Sequence, residues 1–398
     1  IDQHTLDEVI DTLKSGWLTT GPKTKEFEKR LTAYCANKAT LAVNSATSGL
    51  ELALRWFGVQ AGDEVILPAY TYCATANVII HCGATPVMVD VNANDFNINI
   101  DKIRAAITPK TKVIMPVDLA GFPCDYDEIN ALVHETQIQA LFQPRTQEQQ
   151  QLNRILVLSD SAHSIGGIYK GNRTGSLCDI SVFSFHAVKN LTTAEGGAIA
   201  LNLPTPFDNA ELYKFFNTFS LHGQNKDALA KTQKGAWRYD VTMNGYKANM
   251  TDLLASIGLV ELARYQDDTL VERKRIFDSY QQAFSAYSWA QLPIYETNDK
   301  TSSYHVYCLR IHAINEAQRD AIIQEIFEQE VAVNVHFQPL PMLSIFKEKG
   351  YKMDEYPIAY DNYAREISLP VWYGLTPKQT QEVIRVVVHA VEKVLGTK

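Results

Sequence analysis

The sequence predicts an α/β protein: a large domain on a mostly parallel, seven-stranded sheet, followed by a smaller C-terminal α/β domain. Three observations carry this expectation. Between about residues 41 and 201, short aliphatic and β-branched runs alternate with helix-length amphipathic stretches, the pattern of βαβ units with helices on both sheet faces. A long helical pattern from Leu253 to Ala283 leads out of that region. Beyond it, a shorter alternation of strands and helices runs to the C-terminus. The expected domains are residues 1–255 and 256–398.

The seven strands are expected at Thr40–Val43, Glu64–Leu67, Thr85–Val89, Lys112–Val117, Ile155–Leu158, Ile180–Phe183 and Ala198–Leu201. A helix over Leu50–Phe57 follows the first of them. Gln137–Asn153 is rich in Gln and poor in large apolar residues, so it reads as an insertion or a solvated helix-loop between a helix and the Asp160 strand. Asn225–Asp240 reads as a second polar excursion. In the smaller domain, strands are expected at Tyr304–Ile311 and Val331–His336, with helices at Glu316–Gln329 and Pro377–Leu395. No repeat and no low-complexity tail is present.

The net charge of −8 is mildly acidic, and no Lys/Arg block or basic aromatic stripe occurs, which argues against nucleic acid as a partner. The longest apolar stretches are strand-sized, so no membrane span is expected. Cys35, Cys73, Cys82, Cys124, Cys178 and Cys308 are scattered without metal-type pairing. With no signal peptide in the chain as given, reduced thiols and a cytoplasmic location are the simplest reading.

In open parallel sheets, ligands bind at the C-terminal strand ends, and four features fall there. Lys189 follows the run Ile180–Phe183 in Ser184-Phe185-His186-Ala187-Val188-Lys189-Asn190; partial desolvation favours its neutral, nucleophilic form. Asp160 closes the run Ile155–Ser159, with His163 three residues on. Asn44-Ser45-Ala46-Thr47-Ser48-Gly49 follows the first strand and opens a helix, a setting that suits phosphate. Tyr72, after the second strand, offers an aromatic face. Taken singly, each has an ordinary alternative: a solvated lysine, a capping carboxylate, a simple helix N-cap, a packed ring. Together they match pyridoxal 5′-phosphate (PLP), with an amine for its aldehyde, a carboxylate for its ring nitrogen, a stacking ring and a phosphate cup. The absence of GxGxxG after the first strand and of GxxxxGK[ST] removes the usual support for dinucleotide and P-loop readings.

These residues, with Ser15-Gly16-Trp17-Leu18-Thr19-Thr20-Gly21-Pro22, Gly62-Asp63-Glu64-Val65-Ile66, Gly83-Ala84-Thr85-Pro86-Val87 and Phe183–Gly197, resemble the DegT/StrS-type sugar aminotransferases over essentially the whole chain. Within that family the match is similar to the type that makes a UDP-linked 4-amino-4-deoxy-L-arabinose, through Gly-Trp-Leu-Thr-Thr-Gly-Pro-Lys, Phe-His-Ala-Val-Lys-Asn and Gly-Tyr-Lys-x-Asn-x-Thr-Asp at Gly245–Asp252.

The resemblance implies PLP fold type I, the aspartate aminotransferase-like fold. Lys189 would carry the Schiff base, and Asp160 would pair with the pyridinium nitrogen. His163 would lie near the ring oxygen and Tyr72 on the ring, with Ala46, Thr47 and Ser184 at the phosphate. Lys247 and Asn249 occupy the segment that in relatives reaches the neighbouring subunit's phosphate, which implies a homodimer. Trp17, Thr20 and His336 would face the substrate. The implied reaction moves an amino group, from L-glutamate, to the C4 keto group of a nucleotide-linked keto-deoxy sugar for bacterial surface polysaccharide or lipopolysaccharide synthesis. C3 amination or elimination on the same fold, and a non-catalytic PLP or nucleotide-sugar binding regulator, are the alternatives. Asp118 stands where the family often has histidine, and is expected to alter substrate contacts. The family's first short strand is absent ahead of Ser15-Gly16, so the chain is expected to start inside a longer natural protein.

Overall fold

The computed structural model describes residues 1–226 and 238–396. Its central sheet comprises β1 (Ala39–Val43), β2 (Glu64–Pro68), β3 (Thr85–Val89), β4 (Thr111–Ile114), β5 (Leu156–Asp160), β6 (Ile180–Ser184) and β7 (Gly197–Leu201). The spatial order is β1-β7-β6-β5-β4-β2-β3. Every pairing from β6 to β3 is parallel, and β7 alone runs against both its neighbours. β1 therefore runs with β5 and β6, and the C-terminal ends of β1, β2, β5 and β6 share one edge. β4, β5, β6 and β7 are buried throughout, as expected of strands covered on both faces, whose sequences are continuous apolar runs.

Around the sheet lie α1 (Gln3–Ser15), α2 (Pro22–Cys35), α3 (Ala46–Trp56) and α4 (Cys73–His81). Gly16 ends α1 in the left-handed conformation, φ 74°, a backbone that glycine adopts without steric cost. α5 (Asp252–Arg264) and α6 (Leu270–Phe284) are joined through a π-helical turn at Tyr265–Thr269, so the expected long helix is present with one register change. The boundary at 255/256 falls inside α5. A three-stranded antiparallel sheet, β8 (Ala290–Gln291), β9 (Tyr307–Ile311) and β10 (Glu366–Leu369), packs with α7 (Glu316–Glu328) and α8 (Pro377–Leu395).

One strand expectation is corrected. Val331–His336 is not a strand; it meets β10 in one bridge, Asn334 with Ser368. The reason lies at His336, whose N–H donates to the Glu366 and Ser368 side chains and whose carbonyl accepts from the Tyr70 hydroxyl at 2.9 Å, leaving nothing for a ladder. Gln137–Asn153 is the expected solvated helix-loop: it is mostly exposed, with short helices at Thr136–Gln139 and Gln147–Leu152, and it is anchored by the fully buried Gln149, which donates to the Phe57 carbonyl at 2.9 Å. The expected strand Lys112–Val117 ladders to Ile114 and goes on pairing beyond it: the Met115 N–H donates to the Ile66 carbonyl at 2.7 Å, the Pro116 carbonyl accepts from the Asp160 N–H at 2.9 Å, and Val117 bridges Asp160. Most of the excursion at Asn225–Asp240 lies outside the described residues; its ends meet through the Asn225 N–H and the Asp240 carbonyl at 3.1 Å.

Asp252 is the node that ties α5 to α2. It is 1 % exposed, and its carboxylate accepts from the N–H groups of Gly21 (2.7 Å), Lys23 (3.0 Å) and Thr24 (2.9 Å) and from the Thr24 hydroxyl (2.6 Å). It thus caps a helix start whose own N-cap, Gly21, has no side chain. The Thr251-Asp252 pair is accordingly occupied within the fold. Asp252→Ala leaves those donors buried without an acceptor, and we expect a loss of roughly 3 kcal/mol of stability, measured by urea unfolding.

Candidate active site

At the shared strand edge lies a cavity of about 370 Å³. Its walls bring together Ala46, Thr47, Tyr72, Asp160, His163, Ser184, Lys189 and His336, with His305 and Phe337. Trp17, Thr20, Lys247 and Asn249 lie outside that lining.

Asp160 ends β5 and is buried. Its carboxylate accepts from the Thr75 hydroxyl at 2.8 Å and the Ala162 N–H at 3.2 Å, which orient it. Burial pushes its pKa up, against those hydrogen bonds and the nearby Lys189. Lys189 sits in the loop after β6, and desolvation brings its amine down to about 8, with the Asp160 charge opposing the shift. About a tenth is therefore the free base at pH 7, far more than for an ordinary lysine. His163 is buried and held well below the usual histidine range by desolvation, then by Lys189 and His336; it is a neutral imidazole whose Nδ1 has no partner.

The cup is formed where Ser45 caps α3, accepting from the Ser48 N–H at 3.1 Å, so the first amides of α3 open toward the cavity beside Ser184. β7 begins immediately behind it. A Cβ at Gly197 would stand 2.5 Å from the Ala46 nitrogen and 2.7 Å from the Phe183 carbonyl, so only glycine lets the cup close. Tyr72 precedes α4 at the mouth and is 59 % exposed. Phe337 contacts both Tyr72 (5.7 Å between ring centroids) and His163 (5.8 Å, stacked).

These features fit PLP on the protein's own geometry. There is a depressed lysine for the aldehyde, a buried and oriented carboxylate for the ring nitrogen, and an orphaned imidazole nitrogen for the ring oxygen. The cup, cleared by Gly197, suits the phosphate.

Four expected residues are engaged elsewhere in the chain. Asn249 donates to the Thr20 hydroxyl at 2.6 Å and accepts from the exposed Lys247 ammonium at 2.5 Å, while Thr20 donates to the Met250 carbonyl. This segment runs beside the end of β1, where the Asn44 N–H donates to the Ala248 carbonyl at 2.8 Å. The Trp17 ring lies over Gly21, and its Nε1 is buried without a partner. Asp118 also lies outside the cavity. It is fully buried and accepts from the Cys124 N–H and the Tyr126 and Ser164 hydroxyls, so the expectation that it alters substrate contacts is corrected: it holds the loop together.

Sequence reasoning missed Thr75, His305 and Phe337. Nothing in the sequence around Thr75 gives it a role. His305 falls within the expected strand Tyr304–Ile311, but it precedes β9 and lies against His163 with ring centroids 4.3 Å apart; its Nδ1 pairs with the Asn190 side-chain oxygen at 2.7 Å.

The fold and the cavity define a fold-type I, PLP-dependent enzyme. The sequence pattern of the DegT/DnrJ/EryC1/StrS aminotransferase family matches residues 1–143 and 145–388, and the chain belongs to that family. The spore coat polysaccharide biosynthesis protein SpsC of Bacillus subtilis is 36% identical over 393 residues, covering 97% of this chain and 94% of its own. Among solved structures, the putative sugar aminotransferase Spr1654 from Streptococcus pneumoniae in its PMP-form superposes with a TM-score of 0.95 at 47% identity, covering 99% of this chain and 98% of its own. Its PLP-form superposes with a TM-score of 0.94 at 45% identity over 99% and 97%. Helicobacter pylori PseC, an aminotransferase involved in pseudoaminic acid biosynthesis, gives 0.86 at 26% identity over 99% and 97%.

Two outcomes follow from this geometry. Gly197→Ala crowds the cup, and with overpacking costing about 1–3 kcal/mol we expect PLP to bind on the order of tenfold or more weakly, read by titration of the cofactor's absorbance. The rate of PLP capture by the apoprotein should rise with pH through about 8, where Lys189 loses its proton. Because Asp160 holds that proton on, Asp160→Asn should move the midpoint to lower pH in the same stopped-flow measurement.

Proposed function

We propose that this enzyme transfers an amino group from L-glutamate to the C4 keto group of a nucleotide-linked, UDP-type keto-deoxy sugar, in the cytoplasm, for bacterial surface polysaccharide synthesis. The single observation that carries the reading is the pairing of the desolvated Lys189 with the buried Asp160 at one end of the cavity. The names of SpsC, Spr1654 and PseC support a sugar as acceptor.

When bound, PLP supplies an aldehyde that condenses with amines and a ring that accepts the electron pair left when an adjacent carbon loses a proton. The chain's residues do the rest. Lys189, as the free amine, would hold the aldehyde carbon and, once the amino donor takes that place, would be the base that removes the proton from the donor's α-carbon. Asp160, oriented by Thr75 and the Ala162 N–H, would keep a proton on the ring nitrogen. His163 would lie by the ring oxygen, Tyr72 would cover the ring, and Ala46, Thr47 and Ser184 would hold the phosphate. In the second half Lys189 would return a proton in the opposite direction, with the keto sugar as acceptor.

A homodimer is part of this reading. Among the described lining residues Lys189 is the one Lys or Arg, while the cofactor phosphate, glutamate and a nucleotide diphosphate all carry negative charge. The exposed Lys247 would supply such charge to a second copy, and Val188, 70 % exposed on the Lys189 loop, would be covered by it. His336 would complete the sugar's surroundings from within the cavity, and Trp17 and Thr20 from across that interface.

The test is the absorption spectrum of the PLP-loaded enzyme before and after L-glutamate, followed by addition of a UDP-linked 4-keto pentose and NMR of the product. We expect the visible band of the bound aldehyde form to give way to that of its amine form, and the new amine to stand at C4. A spectrum that ignores glutamate sinks the donor, and an amine at C3 sinks the regiochemistry. Lys189→Ala should lower turnover by at least about 10³-fold; retained turnover would contradict its role.

A further inference from the structure

His336 reaches the cavity from a segment fixed on three sides, and its ring is held more tightly than a lining residue requires. Glu366 and Ser368 are two residues apart on β10 and so share one face of the strand. Ser368 Oγ stands 2.9 Å from His336 Nδ1 and 2.5 Å from Glu366 Oε1. The His336 N–H donates to Glu366 Oε2 at 3.2 Å and to Ser368 Oγ at 3.1 Å. Below, Asn334 and Ser368 exchange backbone hydrogen bonds at 3.2 and 2.7 Å. From the opposite side the Tyr70 hydroxyl takes the His336 carbonyl at 2.9 Å.

A hydroxyl has one proton to give. Glu366 is fully buried and receives the Ser368 hydroxyl, the His336 N–H and the Cys308 thiol; burial pushes its pKa up to about 8, so above that pH it is a carboxylate, which acts only as acceptor. With its proton then directed to the ionised Glu366, Ser368 Oγ can only accept from the imidazole. That places the ring proton on Nδ1 and leaves the Nε2 lone pair bare. Desolvation, with Lys189 adding to it, keeps His336 neutral by bringing its pKa to about 4. A neutral imidazole with a bare Nε2 is an acceptor, and the donor it suits is a hydroxyl.

We propose that Glu366 and Ser368 are positioning residues that lock His336 in its Nδ1–H tautomer, so that Nε2 accepts a hydrogen bond from a hydroxyl of the ligand in the cavity. That the ligand is a sugar rests on the function proposed above. His336 is then a specificity-determining residue, since a buried acceptor left without its donor penalises an analogue lacking that hydroxyl. The two residues behind it act through it alone.

The experiment is ¹⁵N NMR of the histidine side chains in the PLP-loaded full chain at pH 8.5, with His336→Gln to assign the signals. We expect the His336 Nδ1–H tautomer in the wild type, where both Glu366 oxygens accept. In Glu366→Ala, Ser368 is free to donate to Nδ1, and we expect the Nε2–H tautomer. Steady-state kinetics with the UDP-linked 4-keto pentose should show Glu366→Ala raising KM for the sugar roughly tenfold, with a smaller change in kcat. An Nε2–H signal in the wild type overturns the proposal, as does a tautomer that Glu366→Ala leaves alone. Should Glu366→Ala prove unstable, Ser368→Ala is read the same way, with loss of the fixed Nδ1–H tautomer expected and its full retention overturning the proposal. An enzyme that responds to glutamate, shows the Nδ1–H tautomer and ignores keto sugars would defeat the reading of function while leaving the positioning pair in place.

Discussion

Placing a carboxylate at the end of a fully buried strand is the constraint on which this site depends. Desolvation disfavours the charge on Asp160, and the chain answers with the Thr75 hydroxyl, the Ala162 N–H and the nearby Lys189 rather than with an arginine. A carboxylate satisfied only in part has capacity left for a cation, which is what a protonated pyridine nitrogen presents. The same burial lowers the Lys189 pKa. One desolvated pocket thereby produces two groups of opposite chemistry, an acceptor for a ring proton and a free amine.

The sheet topology makes this possible. Because β1, β5 and β6 run the same way while β7 returns against them, the phosphate cup, Asp160 and the Lys189 loop open on one edge. The bare backbone of Gly197 lets the returning strand pass behind the cup. The C-terminal part adds His305, His336 and Phe337 as the facing wall, each fixed from behind by hydrogen bonds or ring contacts.

Much of this was legible in the sequence, for physical reasons. Buried parallel strands are written as uninterrupted apolar runs, so all seven were located, and Thr85–Val89 and the helix Pro377–Leu395 coincide with the expected bounds. Lys189, Asp160, His163 and the Ser45 cup follow strand ends directly, so locating the strands located them. What was not legible depends on partners distant in sequence. Nothing local marks Asp252 as the cap of a helix that starts 230 residues earlier, or Asp118 as a loop anchor. Val331–His336 has the composition of a strand, yet its hydrogen bonds go to the side chains of Glu366 and Ser368 and to Tyr70. β10 went unseen because its four residues follow a helix without a turn signal.

Arg273 of α6 is buried and donates to the carbonyls of Tyr304 and His305 at 2.8 Å each and of Val371 at 3.1 Å. Those carbonyls belong to the segment that enters β9, including a cavity-wall histidine, and to the segment that leaves β10. A single cation therefore fastens the front of the site to the frame behind it. The wall beside His163 and the strand bearing Glu366 and Ser368 are in this way parts of one rigid unit, so any adjustment that admits a bulky ligand has to come from the opposite rim, where Tyr72 and Val188 are exposed.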